Sequence, residues 1–76
     1  MKGRSTVAVQ YTQHAKDRMA QRAISEREVE AVLADPDVRY TDKKGNPILK
    51  AEVNGRQIKV VLAAGSDPPR VITVAD

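Results

Sequence analysis

The sequence contains no cysteine, one histidine, and no phenylalanine or tryptophan among its 76 residues. Without cysteine the chain has no disulfide framework, thiolate zinc site, iron–sulfur cluster or cysteine nucleophile. A single histidine excludes a metal site built from several histidines of one chain. The two tyrosines leave few rings on which nucleic-acid bases can stack. Any chemistry therefore rests mainly on charged side chains, the histidine and the tyrosines.

Long hydrophobic runs are also missing. The longest aliphatic run, 60–64, is far shorter than the roughly 20 apolar residues that span a membrane. Lys2 and Arg4 precede no apolar stretch of the kind found in signal peptides. We therefore expect a cytoplasmic protein with no membrane partner. With 41% hydrophobic and 30% charged residues, the chain is predicted to form one small domain over 1–76, with an ordered core of about 11–74.

The net charge of +3 is unevenly distributed. Positive charge lies on the first predicted helix and in the second half of the chain, and an acidic segment over 26–35 separates them. Such a balance permits nucleic-acid binding without requiring it.

Two helices are predicted in the first half. Thr12 is a candidate N-cap for a helix that ends near residue 22. Its apolar stripe is predicted to contain Ala15, Met19 and Ala23. Ser25 and Glu28 have the spacing of a capping box, which predicts a second helix that ends before Pro36. The buried face of this helix is predicted to contain Val29, Val32 and Leu33.

Strands are predicted in the second half, over 38–41, 48–53, 56–63 and 71–74, and 7–11 reads as a short edge strand. Asn54-Gly55 predicts a two-residue hairpin turn that sets Leu49 opposite Val60 and Lys50 opposite Lys59. The apolar face of this hairpin is expected to pack on the helices. The predicted fold is α+β, with two N-terminal helices on a three- to four-stranded antiparallel sheet.

The other face of the predicted hairpin carries the lysines at 50 and 59, which repel each other when directly opposite. This face is a candidate anion-binding surface. The residues predicted to bind nucleic acid in this half are Lys50, Arg56, Lys59 and Arg70. A plain solvated face is the alternative interpretation.

The first predicted helix carries His14, Arg18 and Arg22 in one column, because they recur every four residues. Guanidinium groups bind phosphate oxygens in a bidentate manner, and a histidine can transfer a proton near neutral pH. A purely structural role is the alternative, in which the arginines pair with the acidic second helix and the histidine packs against the sheet.

The segment His14–Ser25 has the pattern H-A-x-x-R-M-x-x-R-x-I-S. It resembles the opening of a family of small bacterial domains known as domain of unknown function 4258. The likeness continues through 29–36 and the strand at 71–74, and it covers about 11–74. One departure is Ala23, where the family commonly has glycine. The resemblance implies an α+β fold and a distant similarity to the RelE and BrnT toxins, which are metal-independent ribonucleases.

Two classes of function follow, and the sequence does not decide whether the protein is an enzyme. The first is a toxin-like ribonuclease or RNA-binding domain, with RNA, the ribosome or an antitoxin-like protein as partner. Its candidate catalytic residues are His14 and Tyr40 for proton transfer, with Arg18 and Arg22 for charge. The second is a non-catalytic protein-interaction or dimerisation module, because edge strands favour a homodimer formed by strand addition. No cofactor and no metal are expected, since the acidic residues around Pro36 read as helix-end and turn residues.

Overall fold

The computed structural model describes residues 9–66 and 68–76. It contains the helices α1 (Gln13–Arg22) and α2 (Glu26–Ala34), and the strands β1 (Gln10–Tyr11), β2 (Val38–Thr41), β3 (Pro47–Val53), β4 (Arg56–Leu62) and β5 (Arg70–Ala75). The strands form one sheet in the order β1-β5-β4-β3-β2. Residues 7 and 8 of the predicted edge strand lie outside the described residues, as does the N-terminal end before them.

The α+β class with two helices is confirmed, but the sheet differs from the prediction. It has five strands rather than three or four, and it is mixed rather than wholly antiparallel. The cause is β1, which pairs parallel with β5. The Gln10 amide donates to the Pro69 carbonyl at 2.9 Å, and the Thr12 amide donates to the Val71 carbonyl at 3.1 Å. The likeness to the RelE fold stays a prediction.

Both predicted helix caps are present. The Thr12 hydroxyl accepts a hydrogen bond from the Ala15 amide at 3.1 Å and donates one to the Ile72 carbonyl at 3.0 Å, so it links α1 to β5. The Ser25 hydroxyl accepts from the Glu28 amide at 3.1 Å, and the Glu28 carboxylate accepts from the Ser25 amide at 2.9 Å. These bonds satisfy amides that the first turn of a helix otherwise leaves unpaired.

The end of α1 corrects the predicted apolar stripe. Ala15 and Met19 are buried, but Ala23 is exposed and lies outside the helix. Its backbone adopts the left-handed conformation, with φ 56° and ψ 45°. The Ile24 amide donates to the Met19 carbonyl at 2.9 Å, which closes a Schellman motif. The left-handed conformation turns Ala23 away from the buried face of the helix. Its spacing of four residues from Met19 therefore does not place it in the apolar stripe.

The predicted hairpin is confirmed with its register. Asn54 and Gly55 both have positive φ, 55° and 79°, as the predicted type of turn requires. Leu49 is paired with Val60, and Lys50 is paired with Lys59.

The core lies between the helices and one face of the sheet. α1 packs on β5 and β1, and α2 packs on β3 and β4, whereas β2 contacts only β3. A register shift at Val61/Leu62 lets both Val71 and Val74 face the helices. The core cluster consists of Ala15, Met19, Ile24, Val29, Val32, Leu49, Ala51, Ile58, Val60, Val71 and Val74. Leu33 is half-buried against it. Among the described residues, no helix has the length and apolar character that crossing a membrane requires.

Candidate functional site

The sheet face opposite the helices, which we call the open face, is covered by neither helix. Its residues follow from the register, because side chains directly opposite each other share a face. One row across the sheet contains Val38, Lys50, Lys59 and Ala75, and the next contains Tyr40, Ile48, Val61 and Thr73. The open face therefore presents a basic row beside a largely apolar one.

The lysine pair, Lys50 and Lys59, is the main electrostatic feature of the open face. Both residues are half-buried, and each lies directly opposite the other. Opposed Cβ atoms in an antiparallel pair are about 5 Å apart, so the two ammonium groups repel. Among residues 9–66 and 68–76, neither lysine forms an ion pair with a carboxylate. The fold thus sets two cations side by side with no ion-pair partner among the described residues.

A depression of about 330 Å³ lies beside the lysine pair. It is lined by Lys50, Gln57, Lys59, Ala75 and Asp76. The Asp76 carboxylate is shared with arginines, at 3.8 Å from Arg22 Nη1 and 3.6 Å from Arg56 Nη1.

Tyr40 stands next to the lysine pair, on the edge strand β2. The Lys50 ammonium nitrogen lies 5.4 Å from the centroid of its ring, a distance at which a cation is attracted to an aromatic face. The side chain remains 41% exposed. No local sequence pattern indicates this contact, because it joins neighbouring strands diagonally.

His14, Arg18 and Arg22 lie at four-residue spacing on α1, whereas Tyr40 lies on β2. His14 is exposed in the first turn, Arg18 is half-buried, and Arg22 lies near Asp76. α1 covers β5 and β1, whereas Tyr40 lies on the opposite face and three strands away from β5. Three strand spacings amount to about 14 Å. His14 and Tyr40 therefore cannot act on the same phosphate in this arrangement.

Arg56, predicted to bind nucleic acid, instead connects the two helices. Its guanidinium donates to the Arg22 and Ala23 carbonyls at 3.1 and 2.7 Å, and to a Glu28 carboxylate oxygen at 3.3 Å. The Ser25 amide and then Arg56 hold the pKa of the Glu28 carboxyl below its usual value. The predicted hairpin register indicates this position of Arg56, because it sets the residue on the side of the sheet that faces the helices.

Arg70 lies apart from the lysine pair, at the start of β5. It is exposed and lines an open cleft of about 690 Å³ together with Tyr11, Lys16 and Glu26. The Tyr11 hydroxyl is buried and has no hydrogen-bond partner among the described residues. Burial, with a smaller effect of Glu26 and Glu30, raises the pKa of Tyr11 to about 12.

Two acidic residues on either side of β2, Asp37 and Asp42, bind backbone amides. The Asp37 carboxylate accepts from the Glu52 amide at 3.0 Å. The Asp42 carboxylate accepts from the Asn46 and Lys44 amides at 2.8 and 2.9 Å, and these bonds lower its pKa. Within the described residues, no group of three or more histidine, aspartate or glutamate side chains is placed to hold a metal ion.

Comparison with known proteins identifies one family. A model described as "Domain of unknown function (DUF4258)" matches residues 11–76, which includes both helices and the column on α1. Searches of curated proteins and of solved structures found no match. The similarity to the RelE and BrnT toxins stays a prediction. The matched range covers most of the chain and contains the His14–Ser25 motif, and the chain therefore belongs to the DUF4258 family.

Proposed function

We propose that this domain binds single-stranded RNA on its open face, in the cytoplasm, with the lysine pair contacting phosphates. The observation that carries the proposal is the pairing of Lys50 with Lys59, two half-buried cations with no ion-pair partner among the described residues. Binding of one RNA phosphate to each ammonium group relieves their repulsion. A sheet face with cations beside an exposed aromatic ring also suits single strands, whose bases are free to stack.

The salt dependence of binding tests this proposal. Each phosphate contact with a single strand contributes about 0.7 to the slope of log affinity against log salt concentration. The variant Lys50→Gln/Lys59→Gln should therefore bind RNA more weakly and lose about 1.4 from the slope. Fluorescence anisotropy with a labelled mixed-sequence RNA at several salt concentrations measures both quantities.

A matched control comes from the turn between β2 and β3. The variant Lys43→Gln/Lys44→Gln removes the same amount of charge from two exposed lysines outside the open face. It should lower the affinity only slightly and leave the slope unchanged. Equal losses in the two variants would show that RNA responds to net charge alone and that the lysine pair is not a site.

RNA cleavage is a second candidate function, favoured by the exposed His14 one turn from Arg18 on α1. In such a reaction His14 transfers a proton, while Arg18 and Arg22 stabilise the charge that develops on the phosphate. We expect His14→Ala to abolish cleavage and leave RNA affinity nearly unchanged, because α1 and the open face lie on opposite sides of the sheet. Gln21→Ala, another exposed residue of α1, is the control. Cleavage that persists in His14→Ala excludes this role for His14.

A non-catalytic protein-interaction or dimerisation module is the alternative to both RNA functions. The same anisotropy measurement separates them, because this alternative predicts no RNA binding even at low salt.

A further inference from the structure

The edge strand β2 carries both large apolar side chains that are exposed in the described part of the chain. Val38 is 48% exposed and Tyr40 is 41% exposed. They are two residues apart, so both lie on the open face. All four residues of β2 are exposed, and neither helix reaches this strand. The fold therefore leaves β2 uncovered from both sides of the sheet.

The outer edge of β2 has no strand partner among the described residues, since β2 ends the strand order and pairs only with β3. Unpaired edges attract further strands because their backbone groups remain free to pair. At the opposite edge, β1 has only two residues, and its Tyr11 packs against the core. β2 is thus the edge better suited to strand addition.

We propose that β2 pairs antiparallel with β2 of a second copy of this chain, with Tyr40 on the two-fold axis. In a continuous sheet, residues directly opposite each other must share a face. One allowed register sets Val38 opposite Tyr40, but it also sets Arg39 opposite Arg39 of the second copy, where like charges repel. The register with Tyr40 opposite Tyr40 avoids this repulsion.

Charge complementarity supports the register centred on Tyr40. It sets Arg39 opposite Thr41, and it brings Asp37 of each copy across from Lys43 of the other, just beyond the strand ends. Val38 becomes a diagonal neighbour of Tyr40 in the second copy, within reach of its ring. The two exposed apolar side chains of each copy thus form one cluster on the open face. This inference does not rest on RNA binding.

Disulfide trapping tests the register, because the chain has no cysteine of its own. Opposed Cα atoms in an antiparallel pair are about 4.5–5.5 Å apart, within the range that a disulfide spans. Tyr40→Cys should therefore form a covalent dimer rapidly on mild oxidation. Arg39→Cys on the same strand and Glu52→Cys on β3 should cross-link much more slowly. Equal rates in the three variants would indicate random collision and overturn the proposal.

Sedimentation of the unmodified chain provides a second measurement. The contact covers one short strand, so we expect a weak dimer whose mass rises from monomer towards dimer over a roughly hundredfold range of concentration. Tyr40→Lys should stay monomeric, because it places the lysine of one copy directly opposite that of the other on the axis. The control Gln57→Lys adds the same charge at an exposed position on β4 and should still associate. A monomeric wild type throughout this range overturns the proposal. The variant Lys59→Gln weakens the proposed RNA site but leaves the contact of Lys50 with Tyr40 in place, and it should associate normally. A failure of RNA binding and a failure of dimerisation therefore remain distinguishable.

Discussion

The backbone of Ala23 lies in the left-handed region, where the Cβ atom of an L-residue crowds the following carbonyl oxygen. Glycine lacks that atom and adopts the conformation freely. We therefore expect Ala23→Gly to raise the free energy of unfolding by about 0.5–1 kcal/mol. Urea denaturation followed by far-ultraviolet circular dichroism measures this change.

The neighbouring Ala20 supplies the control for Ala23. It is also exposed, but it lies inside α1, where glycine costs about 1 kcal/mol relative to alanine. Ala20→Gly should therefore destabilise the protein by about that amount, opposite in sign to Ala23→Gly. A loss of stability in both variants would contradict the left-handed backbone conformation of Ala23.

At the scale of elements, Arg56 joins the end of α1 to the start of α2. Its guanidinium is half-buried and donates to two helix-terminal carbonyls as well as to Glu28. We expect Arg56→Ala to lower the free energy of unfolding by about 1–2 kcal/mol, because those carbonyls lose their donor. Arg56→Lys should recover only part of the loss, since an ammonium group cannot reproduce the guanidinium fork. Urea denaturation at neutral pH measures both variants.

Arg70→Ala removes the same charge from an exposed position on β5, and it should change stability by less than about 0.5 kcal/mol. Similar losses at the two positions would mean that charge, rather than the link between helices, is responsible.

The contacts of Glu28 also give the Arg56 link a pH dependence. Because they hold the pKa of that carboxyl below its unfolded value, their contribution is present near neutral pH and falls as the solution becomes acidic.

Local signals made most of these elements predictable. Asn54-Gly55 determines its turn and therefore the opposition of Lys50 and Lys59, because a two-residue loop permits one register. Ser25 and Glu28 likewise mark the start of α2 through hydrogen bonds that span only three residues.

The features that were missed depend on distant parts of the chain. The parallel pairing of Gln10 with Arg70 joins positions 60 residues apart and leaves no local pattern in the sequence. The separation of Tyr40 from His14 follows from strand order, which composition and spacing do not encode. The sequence therefore predicts the parts of the candidate site that lie within one hairpin or within one helix. It does not predict how the hairpin and the helix are placed relative to each other.

At the scale of the whole molecule, the sheet separates a surface that carries the two helices from the open face. The column on α1 lies on the helical side of the sheet, and the lysine pair lies on the other. Substitutions that far apart normally have additive effects. Effects of substitutions in the column on α1 can therefore be separated from effects of substitutions on the open face, where the lysine pair and Tyr40 lie together.

The position of β5 also bears on how the protein is made. This strand follows the other described elements along the chain, yet it lies inside the sheet between β1 and β4, beneath α1. A ribosome releases the hairpin of β3 and β4 before β5, so these two strands can pair while translation continues. The buried face of α1, with Ala15 and Met19, lacks the strand that covers most of it until residues 70–75 emerge. A nascent chain stalled before that point therefore exposes the apolar surface that chaperones bind, and the helix bearing the family motif is fixed in place only after β5 has emerged.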